Sequence, residues 1–313
     1  MKNYKNISIK QIMLLVEMIK PLFEDSREKK KKRGRPRKYS DEFILVLFFI
    51  RILRGYSFRT LRVEAGDLFS KDVPAISTIH YRIGKLDPDK LKKAVSLLAR
   101  FIDNKLGNAE KEYVFADGTG FGFDDKIPLS YCRGKEIREV SGHVKTEILA
   151  ASSPAGDYVY GIGIAPSYGD ERKLLIQILQ ETPVRGKYFL ADALYSMSIK
   201  LLKMILEMGF VPVIRTSKST HTNIRNPLRK KVAELYEKYK HVYTQRYRIE
   251  QLIAKIKNSY GDRENARSYE MAARYVIGKV ILFNFCFFIS LLFLLFFYLR
   301  KDTRPLYARL NCA

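Results

Sequence analysis

Apolar positions in the N-terminal part of the chain recur at the spacing of α-helices, three to four residues apart. Ser40 is a favourable N-cap and Gly55 a residue on which helices commonly end, so the apolar stretch between them is predicted to be a buried helix. The predicted helices cover residues 7–23, 43–53, 57–69, 77–86 and 90–106. This part of the chain is therefore predicted to be all α-helical.

From Glu112 onward, short apolar runs bounded by turn residues replace the helical spacing. Residues 153–157 have the turn chemistry of a hairpin, and residues 216–242 are basic and resemble a loop. The predicted strands cover residues 113–116, 144–151, 158–164, 188–191 and 210–214, and the predicted helices cover 170–181, 196–208 and 243–257. An antiparallel first half followed by β-α-β alternation indicates an α/β layer fold.

The stretch from Val280 to Leu299 is almost wholly apolar, with Asn284 and Ser290 as its clearly polar residues. Its length and hydropathy are those of a transmembrane helix. The alternative is a helix that packs against the sheet or against another subunit. Because the preceding chain contains no other candidate span, we favour the packed helix and expect no membrane partner.

The charge of the chain restricts its partners. A net charge of +24 and a pI near 9.8 indicate a polyanion, which is nucleic acid or an anionic membrane surface. The three cysteines are scattered, which argues against a disulfide framework and a clustered zinc site and fits a reducing compartment. No phosphate-binding Walker A loop and no Gly-rich dinucleotide fingerprint occurs in the sequence.

Most of the residues between Lys29 and Lys38 are basic, and Gly34 and Pro36 interrupt the run. Its centre, Arg33-Gly34-Arg35-Pro36-Arg37, resembles the core of an AT hook. In an AT hook, arginines enter a narrow A·T minor groove, which has a strongly negative potential. The alternative interpretation is a basic linker that contacts phosphates without reading sequence.

The helices predicted after this arm resemble a helix-turn-helix unit. The last of them, residues 77–86, is small, polar and basic, as expected of a helix that enters the major groove. Three-helix units also occur for other reasons, so the resemblance alone is a moderate signal. The neighbouring basic arm favours DNA binding.

Three carboxylates stand at positions suited to chemistry. Asp117 and Asp192 each follow a predicted strand, and Glu250 lies on the predicted helix 243–257. On that helix Tyr243, Arg246, Glu250 and Lys257 share one face, beside an apolar face that packs on a core. The alternative for each aspartate is an ordinary turn residue, and for a lone glutamate a solvated helix position.

Polar residues near these motifs have simpler interpretations. His143 and Lys145, at the start of the second strand, are interpreted as a strand-edge pair. Asp170 opens a predicted helix and is interpreted as its cap rather than as a fourth ligand.

The motifs together resemble a known family. The spacing Tyr-x2-Arg-x3-Glu-x6-Lys at 243–257, with Asp-Gly-Thr at 117–119 and Asp-Ala-Leu-Tyr at 192–195, is similar to DDE transposases of bacterial and archaeal insertion sequences. The resemblance covers roughly residues 33–290. It implies an α/β fold: an RNase H-like mixed five-stranded sheet with flanking helices, preceded by an all-α, helix-turn-helix-like region. In such a sheet the first and fourth strands are neighbours.

The resemblance also implies roles for individual residues. Asp117, Asp192 and Glu250 become the catalytic ligands of two Mg²⁺ ions, which Mn²⁺ can replace. Carboxylates that converge in this way repel each other, and hard divalent cations compensate the repulsion. The residues expected to bind DNA are Tyr243, Arg246 and Lys257 near the element end, and Arg33, Arg35 and Arg37 of the arm.

The function implied is cleavage of DNA at the ends of an insertion sequence and strand transfer into target DNA. The expected partners are double-stranded DNA, as terminal inverted repeats and as target, and a second copy of the chain in the synaptic complex. The expected location is the prokaryotic cytoplasm, at the nucleoid. The alternative function is a catalytically inactive DNA-binding protein derived from a transposase.

The predicted organisation has five parts. They are an N-terminal helix (1–28), a basic AT-hook-like arm (29–39), a helical DNA-binding region (40–108), an RNase H-like catalytic domain with an apolar C-terminal helix (109–300), and a tail (301–313).

Overall fold

The computed structural model of the protein describes most of the chain. The described residues are 7–24, 38–69, 72–108, 110–130, 137–216 and 226–302. The three arm residues predicted to bind DNA, Arg33, Arg35 and Arg37, lie outside them.

The N-terminal part of the structure is all helical, as predicted. Its helices are α1 (Ile9–Ile19), α2 (Asp41–Arg54), α3 (Phe58–Phe69), α4 (Ile76–Gly84) and α5 (Pro88–Lys105). Ser40 caps α2 by accepting a hydrogen bond from the backbone N–H of Phe43 at 3.2 Å. Gly55 ends it in the left-handed conformation, with φ of 65°. Every residue from Ile44 to Leu53 is buried, so α2 is the central helix of this part.

The second part is a mixed sheet with flanking helices, which confirms the predicted fold class at that level. Its strand order is β3-β2-β1-β4-β5; β1, β2 and β3 are antiparallel neighbours, and β4 and β5 run parallel to β1. The strands are β1 (Lys111–Ser130), β2 (Ile137–Ser153), β3 (Gly156–Pro166), β4 (Gly186–Ala191), β5 (Val211–Ile214) and β6 (Arg263–Glu264). The two-residue β6, which pairs with β1 at Gly122 and Phe123, was not predicted.

The helices of the second part are α6 (Glu171–Glu181), α7 (Ile199–Glu207), α8 (Pro227–Lys238), α9 (Lys240–Tyr243), α10 (Tyr247–Tyr260) and α11 (Tyr269–Asp302). The prediction of a loop over residues 216–242 was wrong for α8. Asn226 caps α8 by accepting from the backbone N–H groups of Leu228 and Arg229. The buried residue of α8 is Val232. The apolar residues Leu228, Val232, Leu235 and Tyr236 recur at helical spacing, so this helix could have been recognised in the sequence despite its basic residues.

Helix α11 contains the apolar run and begins well before it, at Tyr269. Residues 269–296 include an 18-residue stretch apolar enough to cross a membrane, with mean hydropathy 2.4, but 61% of that stretch is buried inside the protein. Its buried Asn284 accepts from the backbone N–H of Val159 and donates to the carbonyl oxygens of Val159 and Val95. This amide therefore joins α11 to β3 and to α5, which is the packing of a core helix.

Gly278 fixes the distance between α11 and α2. A Cβ atom there would lie 2.4 Å from Cδ1 of Ile52 and 2.7 Å from Cζ of Phe48, both fully packed in the core. We expect Gly278→Ala to lower the free energy of unfolding by about 1–3 kcal/mol through overpacking, although alanine favours helix. The measurement is urea denaturation of the purified protein.

Gly66 in α3 provides the matched control, because nothing lies within 4 Å of a Cβ atom there. Gly66→Ala is expected to stabilise the protein by up to about 1 kcal/mol through helix propensity alone. Equal effects of the two substitutions would contradict the close packing of α11 on α2.

Candidate active site

Asp117 and Asp192 lie on neighbouring parallel strands. The last residue pair in the register of β1 and β4 is Phe115 with Leu190. Asp117 and Asp192 each lie two residues beyond this pair. Asp117 accepts from the backbone N–H of Gly118 at 3.1 Å, and Asp192 accepts from that of Leu194 at 2.8 Å. Two aspartates far apart in sequence therefore stand at the same level of the sheet.

Glu250 is carried by α10, which differs from the predicted single helix over 243–257. Helix α9 ends at Tyr243, a 3₁₀ turn covers Thr244–Arg246, and α10 begins at Tyr247. A 3₁₀ turn is tighter than an α-helical turn. The apolar face of α10 is buried as predicted, through Ile249, Leu252, Ile253 and Ile256. Glu250 lies on the other side of the helix, with its side chain 54% exposed.

Arg246 joins two of the carboxylates. Its Nη1 lies 3.6 Å from Oδ2 of Asp117, and its Nη2 forms an ion pair with Glu250 one helical turn later. The guanidinium also lies 6.0 Å from the ring centroid of Tyr243. In this conformation Arg246, which was predicted to bind DNA, supplies positive charge to the acidic cluster.

The carboxylates affect one another electrostatically. Burial raises the pKa of Asp117 to about 6, against the lowering effect of the Arg246 guanidinium. The nearby carboxylates of Asp192 and Glu250 raise that pKa further, and the N–H of Gly118 lowers it. The three predicted ligands are therefore within electrostatic range of one another, and added positive charge near them is favourable.

The residues fit a divalent cation by ligand type. Carboxylate oxygens are the preferred ligands of Mg²⁺, and the pKa of Asp117 is raised first by burial and then by the neighbouring carboxylates, both of which a bound cation would offset. Within the part of the chain that the structure describes, however, no three His, Cys, Asp or Glu side chains are grouped closely enough to hold a metal ion. Arg246 accounts for this difference, because the carboxylates of Asp117 and Glu250 are turned toward its guanidinium.

Lys257 and Tyr243, which were also predicted to bind DNA, contact aromatic side chains. Nζ of Lys257 lies 5.2 Å from the ring centroid of Phe121, four residues beyond Asp117 on β1. The ring of Tyr243 packs edge-on against Tyr236, with 5.2 Å between centroids. The structure thus brings Arg246 and Lys257 to the strand that carries Asp117, whereas Tyr243 packs against α8.

Sequence reasoning missed Glu147 and Glu171, which lie next to the site. Glu147 on β2 is fully buried and accepts from the hydroxyl of Tyr195, and the Glu171 carboxyl lies where a Cβ atom on Gly118 would stand. Lys145, interpreted as a strand-edge residue, forms a 3.1 Å ion pair with Glu171. Asp170 is the N-cap of α6, as predicted. The signal for Glu147 was an acidic residue directly before the apolar run of residues 148–151.

Comparison with known proteins identifies the family. A family model described as the transposase DDE domain matches residues 109–285, more than half of the chain. The chain belongs to this transposase family. A model of the AT hook motif matches residues 30–42, which include Arg33, Arg35 and Arg37. The predicted DDE transposase resemblance is confirmed at the level of the family, and the AT hook supports DNA as the partner.

The transposase has a relative of similar length and distant structural neighbours. An uncharacterized protein of Aquifex aeolicus (strain VF5) is 39% identical over 264 residues, which cover 84% of this chain and 82% of that protein. A piggyBac transposase synaptic complex with hairpin DNA matches at 12% identity and TM-score 0.43, covering 90% of this chain and 72% of that one. The Mos1 strand transfer complex matches at 13% identity and TM-score 0.28, covering 79% and 72%. These scores are too low to define a shared fold, so the family assignment rests on the sequence matches.

Proposed function

We propose that this transposase is of the insertion-sequence type and cuts DNA at the ends of its element. The same site then joins the resulting 3′-hydroxyl to target DNA. Asp117, Asp192 and Glu250 form the catalytic site on an RNase H-like sheet and bind two Mg²⁺ ions, which Mn²⁺ can replace.

One observation carries the proposal. Strands β1 and β4 are parallel neighbours, and Arg246 contacts both Asp117 and Glu250. Asp117 and Asp192 thus lie at the same level of neighbouring strands, and Arg246 links Asp117 to Glu250. Ordinary turn aspartates and a solvated helix glutamate would have no reason to share this arrangement.

Each residue of the cluster has a role in this proposal. The carboxylates hold the metal ions, which when bound supply charge stabilisation at the attacking and leaving oxygens of phosphoryl transfer. Arg246 leaves Asp117 and Glu250 and contacts a DNA phosphate, for which a planar guanidinium is well suited. Lys257 contacts a second phosphate, and Tyr243 stacks on a base or donates to a phosphate.

The N-terminal part supplies recognition of the element ends. Helix α4 borders an open groove of about 1030 Å³, lined by Ser77, Tyr81 and Lys85, with Tyr81 62% exposed. Lys38, which directly follows the AT-hook core, lines the same groove. The described end of the arm, at Lys38, therefore lies beside the same groove as α4. Since two element ends must be brought together, we propose that two copies of the chain act in one complex.

The test uses full-length protein and duplex DNA that carries the ends of the element encoding the chain. We expect Mg²⁺ to produce cuts at the element ends that leave 3′-hydroxyls, whereas EDTA allows binding and prevents cutting, since the nucleophile and leaving group depend on the metal. The products are separated on denaturing gels, with scrambled ends as the control DNA.

The inactive DNA-binding alternative predicts specific binding of the ends with no cutting under any metal condition. That result would leave the family assignment intact and remove the catalytic proposal. Cutting that is equally fast in EDTA would remove the metal-dependent mechanism.

A further inference from the structure

Glu147 is a buried acid that the proposed chemistry does not use. It lies on β2 opposite Gly118, the residue after Asp117, and its exposed fraction is 0%. The hydroxyl of Tyr195 lies 2.8 Å from each of its carboxyl oxygens. A buried carboxyl group without a hydrogen-bond partner destabilises the folded state, so loss of this bond would lower the stability of the protein.

Tyr195 connects this bond to Asp192. It lies in the 3₁₀ turn Ala193–Met197, whose N-cap is Asp192, and it is itself 1% exposed. The Ser196 hydroxyl donates to the carbonyl oxygen of Ala193 within the same turn. The turn is therefore rigid locally, and the phenol of Tyr195 fixes it to β2.

The surroundings disfavour the charged form of Glu147. Burial raises the pKa of Glu147 well above its usual range, although the hydrogen bond from Tyr195 lowers it. The carboxylates of Glu171, Asp117 and Asp192 raise that pKa further. The phenol of Tyr195 is therefore the polar contact that offsets part of the cost of burying this carboxyl group.

We propose that Glu147 and Tyr195 are positioning residues: their buried hydrogen bond holds the turn that carries Asp192 at a fixed distance from Asp117. The inference rests on the proposed function, since the distance matters only if both aspartates bind the same metal ions. Groups that orient metal ligands from behind are commonly required for tight metal binding.

A second buried tyrosine allows the positioning role to be separated from a role in stability. The hydroxyl of Tyr158 on β3 donates to Asp103 on α5, and Tyr158 is fully buried. Tyr158→Phe thus removes the same kind of bond, a phenol to a carboxyl group, at a place that does not carry a proposed ligand. Both substitutions delete one oxygen atom.

The experiment is calorimetric titration with Mn²⁺ of the purified full-length protein in complex with duplex DNA that carries the element ends, with the heat of the DNA alone subtracted. We expect Tyr195→Phe to weaken Mn²⁺ binding about 10- to 100-fold. Tyr158→Phe is expected to leave Mn²⁺ binding unchanged, even if it lowers stability as much. Glu147→Gln keeps a neutral acceptor for the phenol and is expected to retain most of the affinity.

Each outcome bears on the inference. Equal Mn²⁺ affinity of Tyr195→Phe and the parent overturns it, and so does equal weakening by Tyr158→Phe. If Tyr195→Phe does not fold, Tyr195→Phe combined with Glu147→Met carries the same test, because neither partner is then left unsatisfied. A parent protein that binds no Mn²⁺ overturns the proposed function itself, which distinguishes the two failures.

Discussion

Asp117→Asn is expected to lower the rate of Mg²⁺-dependent cleavage at the element ends about a thousandfold or more. Metal ions in such sites supply several kcal/mol of transition-state stabilisation, and each 1.36 kcal/mol corresponds to about a tenfold change in rate. A neutral amide in place of this carboxylate removes a ligand and its charge. The measurement is the initial rate of cleavage at saturating protein.

Asp117→Asn is not expected to lower the stability of the metal-free protein, although it lowers the cleavage rate. Burial and neighbouring carboxylates raise the pKa of Asp117 to about 6, above its ordinary value of 3.8. The folded protein therefore binds more protons than the unfolded chain between these values, and Asp117 lowers stability as the pH rises through them. Asp117→Asn removes this contribution, so the variant should be at least as stable as the parent near neutral pH.

Asp124→Asn provides the control on the same strand. Asp124 is exposed and lies 2.8 Å from Arg263, outside the acidic cluster. We expect the Asp124→Asn variant to cleave DNA at a rate within about threefold of the parent's, since exposed ion pairs contribute little to stability. Parental cleavage by Asp117→Asn would rule out Asp117 as a catalytic ligand.

The parts of the fold that were predictable have strong local signals. A short apolar run that ends in Asp117 or Asp192 predicts a strand followed by a turn. The apolar face of α10 follows from the periodic isoleucines and Leu252. Neither signal states that β1 and β4 are neighbours. That pairing was available through the resemblance to a family whose strand order is known.

Other parts depend on contacts that no local pattern records. The partner of Glu147 lies 48 residues away at Tyr195. The contact between Arg246 and Asp117 depends on the 3₁₀ turn that displaces Arg246 from an ideal helix. Pairing between distant elements decides both features, and this pairing is a property of the tertiary structure.

Helix α8 is a different case, because its sequence contains a local signal. Its apolar residues Leu228, Val232, Leu235 and Tyr236 have helical spacing. The basic residues around them led to the prediction of a loop.

The contact between α11 and the sheet edge contains a buried ion pair whose disruption should have a large effect on stability. Lys279 on α11 is 2% exposed, pairs with the buried Glu264 on β6, and donates to the carbonyl oxygen of Gly261 at 2.8 Å. Burial raises the pKa of Glu264 to about 7, although Lys279 and Arg51 lower it. Because β6 pairs with β1 shortly after Asp117, this ion pair also supports the strand that carries the candidate site.

Lys279→Met is expected to lower the free energy of unfolding by about 3–5 kcal/mol near pH 8, because it leaves a buried carboxylate without its cation. The loss should shrink toward about pH 6, where Glu264 takes up a proton and becomes neutral. Adding Glu264→Gln to Lys279→Met should recover most of the loss at high pH and remove this pH dependence. Urea denaturation at both pH values measures these changes. The control is Lys203→Met, which breaks the exposed pair with Glu207 and should cost no more than about 0.5 kcal/mol. If the two lysine substitutions cost the same, Lys279 and Glu264 do not form a buried pair in solution.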